Sequence, residues 1–400
     1  VSQRADLHDL HEELVRLRHD LHREPEIGLD LPRTQEKVLG FLDGLPLEIG
    51  TGRALSSVTA VLRGALPGPT VLLRGDMDAL PVTERTGLPY GSAVEGTMHA
   101  CGHDLHTAML AGAAHLLSAR RDRLAGSVVF MFQPGEEGDG GARIMLDEGV
   151  LELSGELPVA AYGMHVISAE IPHGLFASRP GTAMAAADKL KVTVRGRGGH
   201  SSAPHRAKDP IPAACEMVTA LQTMVTRGFD VFDPVVVTVG SFHAGTADNV
   251  IPDEARFEVT LRSFSAEAHA RVREAAPALV RGIAAAHGLE VDADYVVNYP
   301  VTVNDPAEAR HVEATVRELL GEHRHRPMPR PLTGSEDFSF VGQRVPSAFV
   351  FLGACPRDAD PGRMPYNHSP EAVYDDGVLA DGAAVYAELA ERRLSAAASA

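Results

Sequence analysis

Val128-Val-Phe-Met-Phe-Gln-Pro-Gly-Glu-Glu-Gly138 begins as an unbroken apolar run and breaks into a Pro-Gly loop carrying two adjacent carboxylates. A run that is apolar at successive positions, not alternate ones, reads as a strand covered on both faces, the habit of parallel sheets layered with helices. Val71–Leu73 has the same character, and Val58–Leu62 is another β-rich run. Asp104–Leu117, between the two apolar strands, reads as a helix, so a βαβ rhythm sets an α/β first domain. Upstream, Leu7, Leu10, Leu14, Leu17 and Leu21 recur at steps of three and four, one face of a helix that Pro25 ends. A second helix is expected from near Thr34. Far downstream, Val345–Leu352 reads as one more buried strand and the Ala-rich tail as a helix.

The pattern changes at about Asp188. Leu190, Val192 and Val194 alternate with Lys191, Thr193 and Arg195, the period-two signature of a strand with one wet face. A helix follows, carried by Ile211, Ala214, Met217, Val218, Leu221 and Met224, then a strand at Val235–Phe242. Next come an alternating strand with Phe257, Val259 and Leu261 on one face, a helix from Ala266 to His287, and a strand at Leu289–Val297. The order β-α-β-β-α-β is that of a ferredoxin-like α+β domain. The expected architecture is a discontinuous domain at 1–186 and 299–400, built on a mixed, mostly parallel sheet. It is interrupted at 187–298 by the smaller domain.

Composition limits what such a chain does. With 44% hydrophobic and 23% charged residues among 400, it has the make-up of a globular protein. A formal net charge of -17 argues against a nucleic-acid partner, which demands a basic surface. No stretch approaches the about 20 apolar residues that span a bilayer, and the charged N-terminus lacks a signal peptide's apolar core. Three scattered cysteines, Cys101, Cys215 and Cys355, make no disulfide framework, so a reducing cytoplasmic setting is expected. The opening Val1 suggests that an initiator Met or short leader is missing.

Five residues stand out as potential metal ligands: Cys101, His103, Glu137, His165 and His368. Met98-His-Ala-Cys-Gly-His-Asp-Leu-His106 packs a thiol, three imidazoles and a carboxylate just ahead of a helix, and Gly102 lets Cys101 and His103 turn toward one ion. The Glu136-Glu137 pair follows a buried strand, where open α/β sheets place their ligand sites. One carboxylate there can bind metal while its neighbour takes a proton; an acidic surface turn is the plain alternative. His165, in Tyr162-Gly-Met-His165 after a β-like run, and His368, in Tyr366-Asn-His-Ser-Pro370, are each weak alone. Asp76 and Asp78 follow another buried strand, where a carboxylate can orient a ligating imidazole.

Together these stretches resemble the metal-dependent aminoacylase family of hippurate hydrolase and the plant auxin-conjugate hydrolases, related more distantly to carboxypeptidase G-type di-zinc exopeptidases. The resemblance runs from Leu21-His-Arg-Glu-Pro-Glu26 through Gly75–Pro81, His99–His106, Gln133–Gly138 and Gly163–Val166. It continues through Gly198-Gly-His-Ser-Ser202, Asn249-Val-Ile-Pro252, Gly334-Ser-Glu-Asp-Phe338 and Asn367-His-Ser-Pro370. It implies two divalent ions per subunit bridged by Cys101, with His103, Glu137, His165 and His368 completing the shells; zinc or manganese comes first, with cobalt or nickel compatible. It implies Glu136 as general base toward a metal-bound hydroxide, with Asp78 in the catalytic set. His200 is expected to reach the partner subunit's site and help hold the oxyanion, which makes the inserted domain a dimerisation domain. An exposed loop His is the alternative. Asn249 and Arg262 are candidates for the substrate's carboxylate, a solvated Arg262 being the alternative reading. One departure is Val-Ile-Ser168 after His165, where the family usually has Pro; a loop adjustment is expected.

The activity implied is hydrolysis of the amide bond of N-acyl-L-amino acids, by a homodimer, or a tetramer as the alternative, acting on a small molecule with no membrane partner. A dipeptidase or carboxypeptidase of the same fold is the nearest rival. A non-catalytic binding relative is the other.

Overall fold

The computed structural model describes residues 2–398. Val1 and the last two residues of the Ala/Ser-rich end therefore lie outside the described residues. The chain divides into two compact units, one of 1–183, 303–330 and 337–400, the other of Met184–Thr302 and Pro331–Glu336.

The first unit is organised by β3 (Leu66–Asp76) and β4 (Ala125–Gln133), which run parallel with Val71 opposite Val128 and Asp76 opposite Gln133. The apolar cores of both strands are fully buried, as continuous apolar runs require. On the other side of β3 lies β5 (Ala160–Ile167), again parallel, and next to it Ser347–Gly353, parallel to β5. Antiparallel strands finish the sheet. β1 (Leu47–Thr51) and β2 (Val58–Arg63) flank β4, while β6 (Phe176–Ser178) runs antiparallel to 347–353 and parallel to His325–Pro327 at the far edge. The eight-stranded sheet is thus mixed, with its parallel strands in the middle. That parallel block brings the carboxyl ends of β3, β4 and β5 to one edge, where a ligand site belongs.

Helices cover the sheet. In α1 (Ser2–Arg23), Leu14, Leu17 and Leu21 are buried and Leu10 packs against the same core; the side chain of Leu7 lies outside the described residues. Glu26, just past Pro25, accepts hydrogen bonds from the Thr34 backbone and hydroxyl, both at 2.9 Å. It thereby satisfies an orphan donor at the start of α2 (Pro32–Leu42). The central α3 (His103–Ser118) is buried nearly all round and packs against the C-terminal helix Leu379–Ala398.

The edge of the buried face of α1 carries a guanidinium. Arg18 is fully buried, its Nε donating to Asp104 Oδ2 at 2.8 Å and its Nη1 to Tyr90 Oη at 2.6 Å and Asp376 Oδ1 at 2.9 Å. His22 Nδ1 shares Asp104 Oδ2 at 2.8 Å. Burial raises the Asp104 carboxyl, but the charges of Arg18 and His22 outweigh it and hold the group well below the carboxylate range. Removing the cation strands a buried anion. Arg18→Ala is expected to cost about 3–5 kcal/mol of unfolding free energy, measured by denaturant titration. A loss below about 1 kcal/mol, typical of an exposed pair, would contradict that reading.

The second unit is a four-stranded antiparallel sheet in the order 235–244, 254–263, 186–195, 290–299. Helices Pro210–Gly228 and Ala266–Ala286 supply the two α elements of the β-α-β-β-α-β order. Alternation along Glu254–Ser263 is clean, with Ala255, Phe257, Val259 and Leu261 buried beneath the helices and Arg256, Glu258 and Thr260 exposed. Asp209 and Ser265 cap the two helices by accepting from Ile211 N and Ala268 N. The segment 331–336 joins this unit through Ala185 N, which donates to Leu332 O at 3.1 Å and Gly334 O at 3.0 Å. Among the described residues, no helix is long and apolar enough to cross a membrane.

Candidate metal centre

Gly102 separates Cys101 from His103 with φ +81°, and a Cβ there would come 2.4 Å from Val166 Cγ2. Only glycine takes that turn at that distance. It leaves Cys101 at the mouth of α3 and His103 as the first helical residue, both buried.

The two carboxylates are set by β4 and by Asp78. Asp78 lies just past the end of β3, and its Oδ1 and Oδ2 accept the backbone N–H groups of Glu136 and Glu137, each at 3.0 Å. Its Oδ1 also stands 3.5 Å from His103 Nδ1. A single buried carboxylate thereby fixes the acidic loop and faces a candidate ligand across 3.5 Å.

His165 sits on β5 itself, where the sequence placed it after a strand, and β5 continues through Ile167 without the family's proline. Its Nδ1 lies 2.8 Å from Val166 O. A carbonyl only accepts, so Nδ1 carries the proton and Nε2 offers a lone pair, 3.3 Å from Cys101 Sγ. Ile167 ends β5, and Ser168 then donates its backbone N–H and hydroxyl to Asn367 Oδ1, each at 3.0 Å. The Nδ2 of Asn367 donates to Val166 O at 3.0 Å and to Cys101 O at 3.4 Å, clasping the C-terminal motif to the thiol loop. His368 follows with φ +72°, its N–H on Ala100 O at 2.8 Å. Its Nε2 lies 3.3 Å from Cys101 Sγ and 3.1 Å from Glu137 Oε1.

The five candidate ligands therefore meet as two triplets that share the thiol: Cys101, His103 and His165 in one, Cys101, Glu137 and His368 in the other. Within each triplet the donor atoms lie within 4.8 Å of one another. Glu136 belongs to neither, but its carboxylate falls within the same distance of His103 and Glu137.

Three observations fit a divalent cation in each triplet. His103 is fully buried, yet among the described residues neither ring nitrogen has a hydrogen-bond partner; the Asp76 and Asp78 carboxylates stand off at 3.5 Å. His165 holds the ligating tautomer. The third is that the surrounding acceptors favour a positive charge at this spot: hydrogen bonds to Cys101 and Glu137 push His368 up to about 10. Burial and the charge of Glu137 push the Cys101 thiol up as well, which a bound cation reverses.

The remaining candidates lie in the second unit. His200 is exposed; its Nδ1 accepts from Ser202 Oγ at 2.9 Å, and its short strand pairs it with Val250. Asn249, one residue earlier, is also exposed, and its carbonyl accepts from Ser201 N at 3.1 Å. Arg262 departs from the solvated alternative: it is partly buried, burial lowers its pKa, and its Nη1 donates to Ser335 Oγ at 3.0 Å. Among the described residues it forms no ion pair with a carboxylate.

Comparison with known proteins assigns the class. The chain belongs to peptidase family M20/M25/M40, whose model matches residues 72–392. It is 36% identical over 389 residues to thermostable carboxypeptidase 1 of Saccharolobus solfataricus, covering 96% of each chain. It is equally similar, at 36% over 389 residues, to hippurate hydrolase of Campylobacter jejuni, covering 96% of this chain and 98% of that one. Among solved structures, a Bacillus subtilis protein described as a dinuclear metal-binding peptidase of the family superposes with a TM-score of 0.83. It is 33% identical, with 97% of this chain and 99% of that one covered. The protein is thus an amide-cleaving hydrolase of that family with a cluster suited to two divalent metals.

Proposed function

We propose that this chain hydrolyses the amide bond of N-acyl-L-amino acids, releasing a carboxylic acid and a free amino acid. The observation that carries the reading is the pair of ligand triplets sharing Cys101, with Glu136 beside them but outside both. Cys101 with His103 and His165 would hold one divalent ion, and Cys101 with Glu137 and His368 the other. Thiolate and imidazole donors suit zinc first, with manganese, cobalt and nickel compatible and availability deciding. When bound, such ions supply Lewis acidity and lower the pKa of water to about 7.

The chain's own groups do the rest. Glu136 takes the proton of the attacking water and passes it to the departing amine. Asp78, through the two backbone N–H bonds it accepts, keeps Glu136 and Glu137 in their separate tasks. His200 is assigned to the oxyanion of a partner subunit's site, which makes the working unit a homodimer paired through the second unit. Arg262, partly buried and without a carboxylate partner among the described residues, is assigned with Asn249 to the substrate's free carboxylate.

A carboxypeptidase reading keeps the same machinery and is favoured by the carboxypeptidase relative at equal identity. Steady-state assays of N-benzoyl-glycine, N-acetyl amino acids and unblocked dipeptides separate the two. The expected result is a kcat/KM about 100-fold or more higher for the N-acyl substrates. Preference for unblocked dipeptides by a similar margin would overturn the N-acyl assignment and leave the peptidase.

A further inference from the structure

His106 lies three residues past His103 on α3 and is fully buried. Its ring is wedged between those of two candidate ligands, 5.3 Å from His103 in a stacked pose and 4.7 Å from His165 edge-on. Both ends of the ring are pinned. Nδ1 lies 2.5 Å from Asp76 Oδ1, and Nε2 accepts the Val166 backbone N–H at 2.8 Å. A backbone N–H can only donate, so Nε2 carries no proton and the ring's one N–H points at Asp76.

Asp76 is held in turn. Arg74 Nη1 donates to its Oδ2 at 2.8 Å, and the Thr107 hydroxyl donates to its carbonyl at 2.9 Å. By distance alone Asp76, His103 and His106 also pass as a ligand group. The hydrogen bonds exclude that use of His106, because the lone pair an ion would need is already spent on Val166. What remains is a brace. It runs from the end of β3 through the ring to the β5 backbone beside His165, and its flanks touch His103 and His165. Glu137 and His368 take their support elsewhere, from Asp78 and from the Ala100 carbonyl.

We propose that His106 is a positioning residue for one half of the centre, the triplet Cys101, His103 and His165, and not for the half completed by Glu137 and His368. The proposal rests on the two-metal reading above. The test is titration of the metal-free full chain with Co(II), followed by calorimetry and by the thiolate-to-cobalt absorption. It compares wild type, His106→Phe and His106→Gln. Phe keeps a ring between the two ligands and loses both hydrogen bonds. Gln offers an amide to both partners without the ring.

In His106→Phe one of the two ions is expected to bind about 10–100-fold more weakly while the other binds as in wild type and the far-UV circular dichroism is unchanged. His106→Gln is expected to recover part of that loss; should the Phe variant not fold, the Gln variant carries the test with the same one-ion weakening. Two ions bound as tightly as in wild type, or both weakened alike, would overturn the assignment of His106 to one half. Wild-type protein that takes up fewer than two ions would instead sink the two-metal reading itself.

Discussion

Glu136→Gln is expected to retain both metal ions and to lose turnover by about 100- to 10,000-fold, the range that a positioned proton-transfer group contributes. The substitution is close to isosteric and keeps the backbone N–H that Asp78 accepts at 3.0 Å, so the loop stays in place. Neither Cys101 triplet uses Glu136, so ligation survives. What vanishes is an acceptor for the proton of water and a donor for the leaving amine. The informative comparison is metal content beside kcat. Because the Glu136 carboxylate also lies close to His103 and Glu137, a variant that lost an ion along with its activity would reveal a ligand, not a base. A variant with near-normal kcat would remove Glu136 from the chemistry.

Cys101→Ser carries the second large effect, because the thiol is the one donor common to both triplets. Substituting His165 or His368 touches one triplet. Substituting Cys101 weakens both, by more than the about 10–100-fold that outer-shell partners command. A serine hydroxyl keeps its proton at neutral pH and leaves each ion short of an anionic donor. The expected result is a fall in both ions per chain by elemental analysis, with turnover falling in parallel. Full occupancy of either ion in the variant would show that Cys101 does not bridge.

How far the sequence discloses this arrangement depends on the kind of residue. Val128–Phe132 and Val71–Leu73 read correctly as buried parallel strands, because burial on both faces leaves a mark that composition alone carries. The alternation of Phe257, Val259 and Leu261 likewise exposes a one-sided sheet. Strand order is another matter: nothing local says that β3 lies between β4 and β5, yet that order is what gathers Asp78, the Glu136-Glu137 loop and His165 at one edge. The five candidate ligands were readable as chemistry in motifs, whereas their division into two triplets needs distances.

The supporting residues were the least legible. Arg18 lies four residues past Leu14 and three before Leu21, at the edge of the helix's apolar face, and only the fold shows it buried against Asp104. Asn367 carries no local mark beyond its place next to His368, and the fold shows it clasping two loops. His106 lies in the Met98–His106 cluster without a locally legible task, since its partners, Asp76 and the Val166 backbone, are 30 and 60 residues away. A signal for it existed in retrospect. A His three residues beyond another on a helix shares its face, so the two rings meet.

The most direct test of the central claim is the metal content of the purified chain by elemental analysis, read together with hydrolysis of N-benzoyl-glycine before and after chelation. The account predicts about two divalent ions per chain, activity abolished by the chelator, and recovery on adding zinc or manganese. Activity that persists in metal-free protein, or a chain that binds no divalent ion while folded, would contradict it.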